Sequence, residues 1–187
     1  MRKNRIKDIK ENIPVANYNK KLECMQMQDG SYMDIYLIVP KDLVNGDPDD
    51  IEMDCFTWAK FYKTYGLDVE IISMKFPCDT SKQQDYWKKL HERNENPLFD
   101  QMIQRKLSEL EYRERHTVKK EFYLQFFYST EEEISSSRKT IESTMGIRFL
   151  GSESGGPAGG TELLEELPEE KKRQILFKIA NKNSQIF

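Results

Sequence analysis

The stretch around Gly155 comes closest to a chemical motif. Gly155, four residues, Gly160 and Thr161 echo a phosphate-binding loop, in which backbone amides cradle a phosphate and a lysine reaches its outer oxygens. The lysine is missing here and Pro157 removes an amide donor. Such a loop also needs a strand before it and a helix opening directly on it. GSESGGPAGG therefore reads as a linker without a large apolar residue to anchor it.

His91 and His116 are the only histidines. Neither has a second His or Cys at metal-ligand spacing, and both sit among charges on predicted helix surfaces. Glu131-Glu132-Glu133 and Asp47, Asp49 and Asp50 resemble paired catalytic carboxylates, but helix N-termini attract carboxylates through their dipole, which explains both clusters. Cys24, Cys55 and Cys78 are odd in number and lack C-x-x-C spacing, so reduced and mostly buried thiols are expected. Tyr86 with Trp87, and Tyr123 with Phe127, offer rings that stack on bases. The groove would have to come from QRKLSELEYRERHTVKK, where Glu109, Glu111 and Glu114 cancel most of the positive charge. No Ser or Cys sits in a nucleophile-elbow context. The expectation is a chain with no catalytic, cofactor-binding or metal-binding residue, no cofactor and no enzymatic activity of its own.

The elements that would position these residues follow from turn signals and periodicity. LECMQMQ and SYMDIYLIV flank Asp29-Gly30, a dipeptide suited to a type I′ hairpin turn. The second of these strands is apolar on both faces, as a central strand is. A helix opens at Asp49-Asp50, with Met53, Phe56, Ala59, Phe61 and Tyr62 near helical spacing, and Gly66 closes it. The strand DVEIISMKF follows, and then a helix over 82–93 capped by Asp79-Thr80-Ser81. Pro97 starts a longer helix striped with Phe99, Met102, Ile103, Leu107 and Leu110. KEFYLQFFYS reads as a strand, and Thr130 with Glu133 forms a capping box for the next helix, to about Met145. Past the glycine run, a helix over 168–180 presents Ile175, Leu176 and Ile179 on one face. The fold class expected is α+β with a mostly antiparallel sheet, in the order β-β-α-β-α-α-β-α, followed by the linker and a C-terminal helix. The expected organisation is a basic lead over 1–19, an α+β domain over 20–150, a flexible linker over 151–160 and a helical segment over 161–187. Ile35, Leu37, Phe56, Ile71, Leu107, Phe122, Leu124 and Phe126 are the expected core, and the C-terminal helix is expected to dock on the domain or on a second copy.

Composition narrows the partners. Aromatic residues at 11% argue against disorder, and a net charge of -3 argues against a nucleic-acid polycation. The lead carries Arg2, Lys3, Arg5, Lys7 and Lys10, a solvated terminus that could approach anionic lipid. No apolar run is long enough to span a membrane and no signal peptide is evident, so a soluble, intracellular protein is expected.

Three segments also resemble a known family. The passage from Tyr65 to Phe127 carries Phe76-Pro77 after a strand, N-x-N-P before a long helix, and K-x-x-E-L-E over Lys106–Glu111. It is similar to the N-terminal domain of the large conjugation ATPases of type IV secretion systems, the CagE/TrbE/VirB family, in its Gram-positive conjugative-element variety. DGSYMDIYLIV resembles that family's first hairpin, and LPEEKKRQILFKIANKNSQIF the segment after its N-terminal domain. The family's nucleotide-binding motifs lie in a C-terminal domain beyond this chain, so no catalytic residue carries over. The resemblance implies a non-catalytic docking and assembly domain, cytoplasmic and peripheral to the inner face of the cell membrane. Its partners would be conjugation-channel proteins and copies of itself, with membrane contact indirect or through the basic N-terminus. A nucleic-acid-associated accessory protein of a mobile element is the alternative; a small enzyme with an unrecognised site is a third. Whether the chain is a fragment or a complete product is open at this point.

Overall fold

Gly30 adopts φ +88°, a backbone state that glycine reaches at no steric cost, and it shapes the hairpin between β2 (Cys24–Met27) and β3 (Tyr32–Ile38). In the computed structural model, which describes residues 8–148 and 162–181, Met27 N–H donates to Ser31 O at 2.8 Å and Gly30 N–H to Met27 O at 3.1 Å. Three residues therefore turn the chain, with only the glycine at positive φ. A type I′ turn would need positive φ at two central residues, so the expected turn type is corrected. Asp29 Oδ1 fixes the loop by accepting from the Ser31 amide at 3.0 Å and the Ser31 hydroxyl at 2.6 Å.

The described elements are α1 (Ile9–Asn12), β1 (Val15–Asn19), β2, β3, α2 (Pro48–Thr64), β4 (Val69–Pro77), α3 (Ser81–Glu92), α4 (Pro97–His116), β5 (Val118–Tyr128), α5 (Glu131–Met145), β6 (Ile147–Arg148), β7 (Leu164–Glu166) and α6 (Glu169–Ala180). The fold is α+β with a mostly antiparallel sheet, as expected, and its strands lie in the order β1-β2-β3-β5-β4. Tyr32 to Leu37 of β3 pair with Tyr128 to Tyr123 of β5 along one edge. A strand has two edges, so β2 and then β7 share the other, through Met25↔Met33 and Leu37↔Glu165. β6 joins β7 in parallel. α1, β1, β6 and β7 are additions to the expected order, and the first two fall in the segment read as a lead.

The chain divides into two compact units, one of residues 1–72 and 122–187, the other of residues 73–121. The core of the first unit gathers Tyr32, Tyr36, Leu124, Phe126 and Tyr128 from the sheet with Phe61 of α2 and Ile134, Ile141 and Met145 of α5. Phe61 and Phe126 meet edge to face at 6.2 Å, the geometry favoured by ring quadrupoles. Each fully buried side chain of this kind contributes about 1.5–3 kcal/mol of transfer free energy. α5 begins at the expected capping box: Thr130 Oγ1 accepts from Glu133 N–H at 3.2 Å, and Glu133 Oε2 reaches back to Ser129 N–H at 2.6 Å.

In the second unit, Ile103 and Leu110 of α4 are buried, as are Met74 and Phe76 of β4. A polar latch joins its two helices. Gln84 Nε2 donates to Thr80 Oγ1 at 2.9 Å and to Glu114 Oε2 at 2.5 Å, and the Thr80 hydroxyl donates to Leu110 O at 3.2 Å.

Several expected core positions lie outside. Phe56 is 63% exposed, Ile71 58% and Phe122 43%. In α2 the buried stripe runs through Asp54, Trp58 and Phe61, one helical step round from Met53 and Phe56. Ile71 sits on the outward face of an alternating strand whose inward face carries Ile72, Met74 and Phe76. Phe122 shares a face with Leu124 and Phe126 by alternation, but burial on that face begins at Leu124. Leu37 and Leu107 are half-buried, while Ile35, Leu124 and Phe126 are fully buried. Met102 is 49% exposed and Ile179 37%. The glycine linker and positions 1–7 of the basic lead lie outside the described residues.

Candidate functional site

Asp34 sits mid-strand in β3, opposite Phe126 of β5, and is wholly buried. Its Oδ2 accepts from Arg138 Nη2 of α5 at 2.7 Å. Its Oδ1 accepts from Lys172 Nζ of α6 at 2.6 Å and from the Ile35 amide at 2.9 Å. Lys172, itself 1% exposed, donates a second bond to Glu23 O at 2.8 Å. Glu23 takes φ +53°, uncommon for a side-chain-bearing residue, in the turn between β1 and β2. Each buried ion costs several kcal/mol in lost hydration, and only close pairing with further hydrogen bonds offsets it. One carboxylate thus ties the sheet, α5, α6 and, through Lys172, the first turn.

The groups around this centre hold their protons. Burial, with Asp34 the second cause, pushes the Cys24 thiol up to about 11 and the Tyr18 hydroxyl up to about 12. Burial and then Asp34 likewise hold Tyr36 and Tyr128 above the ordinary tyrosine value. No proton of these side chains is poised to leave near neutral pH, so the centre suits fastening better than acid–base work. Beside it, Thr64, Tyr65, Leu67, Glu133, Ser137 and Thr140 line a cleft of about 210 Å³. A cleft this polar suits water better than an apolar ligand.

The surface offers a second arrangement. One exposed stripe of α2 runs through Asp49, Glu52, Met53, Phe56, Ala59, Lys60 and Lys63. Met53 is 60% exposed. Asp47 Oδ1 caps the helix by accepting from Asp49 N–H at 2.9 Å.

A family model described as the archaeal TraC-like domain matches residues 18–178, from the end of β1 almost through α6. The chain belongs to this conjugation-related family. Comparisons with curated proteins and with solved structures return no match.

The TraC-like domain does not gather the residues that the sequence singled out. His91 Nδ1 lies 2.5 Å from Asp100 Oδ1 in the second unit, and both side chains are partly exposed. His116 stacks on Tyr112 at 4.1 Å, with Nδ1 2.9 Å from the Tyr112 carbonyl oxygen. Among the described residues no group of three His, Cys, Asp or Glu is placed to hold a metal ion. Glu133 serves the α5 cap, and Glu131 Oε1 accepts from the Tyr32 hydroxyl at 3.3 Å. Tyr123 is fully buried, Phe127 and Trp87 are half-buried and Tyr86 is 62% exposed. Cys24 is buried, but Cys55 is exposed and Cys78 intermediate, a correction to the mostly buried thiols expected. Gly155, Gly160 and Thr161 lie outside the described residues. No described helix is long and apolar enough to cross a membrane.

The Asp34 centre escaped the sequence reading. Its members lie 104 and 138 positions apart, beyond any local pattern. One signal was present: an aspartate inside YMDIYLIV, a strand read as apolar on both faces, demands a buried cation.

Proposed function

We propose that this TraC-like domain is the non-catalytic docking and assembly domain of a conjugative DNA-transfer ATPase of the type IV secretion kind. It would work through protein contacts with channel components at the cytoplasmic face of the membrane. The observation that carries the reading is the match to a conjugation-related family across residues 18–178. The chemistry of the buried groups supports it. Asp34 is paired to both Arg138 and Lys172, and the neighbouring thiol and phenols keep their protons through neutral pH. A rigid scaffold with its charges tied inside presents its surface for contact, and the motor chemistry would come from an ATPase domain joined to or assembled with it.

Photo-crosslinking in a host that carries the transfer system tests the reading. A photoreactive residue placed in turn at exposed positions should capture channel proteins, and deletion of the domain should lower DNA transfer. The purified chain with magnesium and ATP should show no turnover above a heat-killed control. Turnover there, or salt-dependent retention of DNA without channel crosslinks, would instead favour an enzyme or a nucleic-acid accessory protein.

A further inference from the structure

The exposed stripe of α2 reads the same in both directions. From Asp49 the spacing runs three, one, three to Phe56, and then three, one, three to Lys63. Its chemistry inverts about the same point. Asp49 and Glu52 lie before the centre, Lys60 and Lys63 after it, and Met53, Phe56 and Ala59 between them. The helix dipole by itself favours acids in the first turn and bases in the last. It does not account for a methionine 60% exposed and a phenylalanine 63% exposed between them. Nor do the four charges find ion-pair partners among the described residues.

A two-fold axis beside Phe56 resolves both points. Turned about it, a second antiparallel α2 sets Phe56 on Phe56 and Met53 on Ala59. Asp49 then faces Lys63, and Glu52 faces Lys60. Asp49 to Lys63 spans 14 residues, roughly 21 Å at 1.5 Å per residue, so each charge lies about 10 Å from the crossing. At the shallow interaxial angle of about 20° the axes diverge by only about 4 Å over that distance, which lysine side chains bridge. Two-fold interfaces are self-complementary in this way, each patch meeting its own image.

We infer that α2 is a homotypic docking helix, and that its occupant is the α2 of a second copy of this chain. One helix pair is a small interface, so the association is concentration-dependent. The inference does not depend on the conjugation reading, since a chain that fails to reach the channel could still pair with itself.

Sedimentation of the full chain from micromolar to near-millimolar concentration tests it. Wild type should move from one chain to two, and Phe56→Glu should stay single at every concentration, with the far-ultraviolet circular dichroism of the folded domain. Asp49→Lys/Glu52→Lys and Lys60→Glu/Lys63→Glu, each alone, carry one sign along the whole stripe and should stay single. Mixed, they should form a one-to-one pair, which also shows that both are folded. In a Cys55→Ser background, Phe56→Cys should oxidise to a disulfide between copies. A wild-type chain that remains single throughout overturns the inference, and so does a pair that survives Phe56→Glu. So does a mixture of the two charge variants that fails to associate; the face would then be left to a different partner.

Discussion

Lys172 donates a hydrogen bond to Asp34 at 2.6 Å across 138 positions of chain, and the two side chains are 1% and 0% exposed. The pair belongs to a centre whose third member, Arg138, is 26% exposed. That asymmetry ranks the cost of breaking it.

Asp34→Asn leaves a fully buried ammonium facing a neutral amide and should destabilise the fold by about 3–5 kcal/mol. Lys172→Met keeps a similar volume and leaves Asp34 paired to Arg138, so its cost should be clearly smaller. Urea unfolding of the two variants and wild type decides the order. Equal losses would show that Arg138 does not compensate the carboxylate.

Alkali should loosen the fold. The Cys24 thiol, ordinarily at 9.0, stands at about 11 in the folded chain, and the Tyr18 hydroxyl moves from 10.0 to about 12. Above pH 9 the unfolded thiol has lost its proton while the folded one keeps it, so the native state binds more protons and stability falls as pH rises. The contribution is fully present below pH 9 and is lost by pH 11, a change of about 2–3 kcal/mol for Cys24 at about 1.4 kcal/mol per unit. Urea midpoints taken across that range should descend, and Cys24→Ala should flatten part of the slope. At neutral pH a thiol reagent should label exposed Cys55 at once and Cys24 only on unfolding.

The strand β5 offers a paired test of burial. Leu124 is 0% exposed and Phe122 43%. Leu124→Ala should cost about 2–5 kcal/mol, and Phe122→Ala distinctly less although it removes more atoms. If Phe122→Ala proves the more damaging, its ring is covered more fully than its exposure indicates.

Thr130→Ala removes the acceptor for Glu133 N–H and should cost about 0.5–2 kcal/mol. Adding Glu133→Ala should cost less than the two losses summed, because the two side chains act on one helix end. Full additivity would separate the two bonds.

Legibility in the sequence followed the range of the signal. α5 begins at Glu131 because its cap, Thr130 with Glu133, lies within four consecutive residues, and α6 ends at Ala180 as its periodicity indicated. β3 was readable as a buried strand because apolar residues fill both of its faces. The strands β1, β6 and β7, with five, two and three residues, carry no such pattern. Their extended state comes from ladders, β1 with β2, β7 with β3 and β6 with β7. In α2 two apolar stripes compete. Phe61 marks the buried one and Met53 with Phe56 the exposed one, and periodicity alone does not say which faces the core. The Asp34 centre is wholly non-local, so only the misplaced carboxylate hinted at it.

The position of Lys172 also sets an order of events. A chain is made from its N-terminus, and Asp34, in the central strand, leaves the ribosome long before α6. Until Lys172 follows, the carboxylate has Arg138 and the Ile35 amide alone, and the Glu23 carbonyl in the turn between β1 and β2 lacks its lysine donor. Lys172, made 138 positions after Asp34, thus closes a turn made much earlier. Such non-local closure slows folding. A released chain truncated before α6 should therefore be protease-sensitive, whereas the 187-residue chain should be resistant.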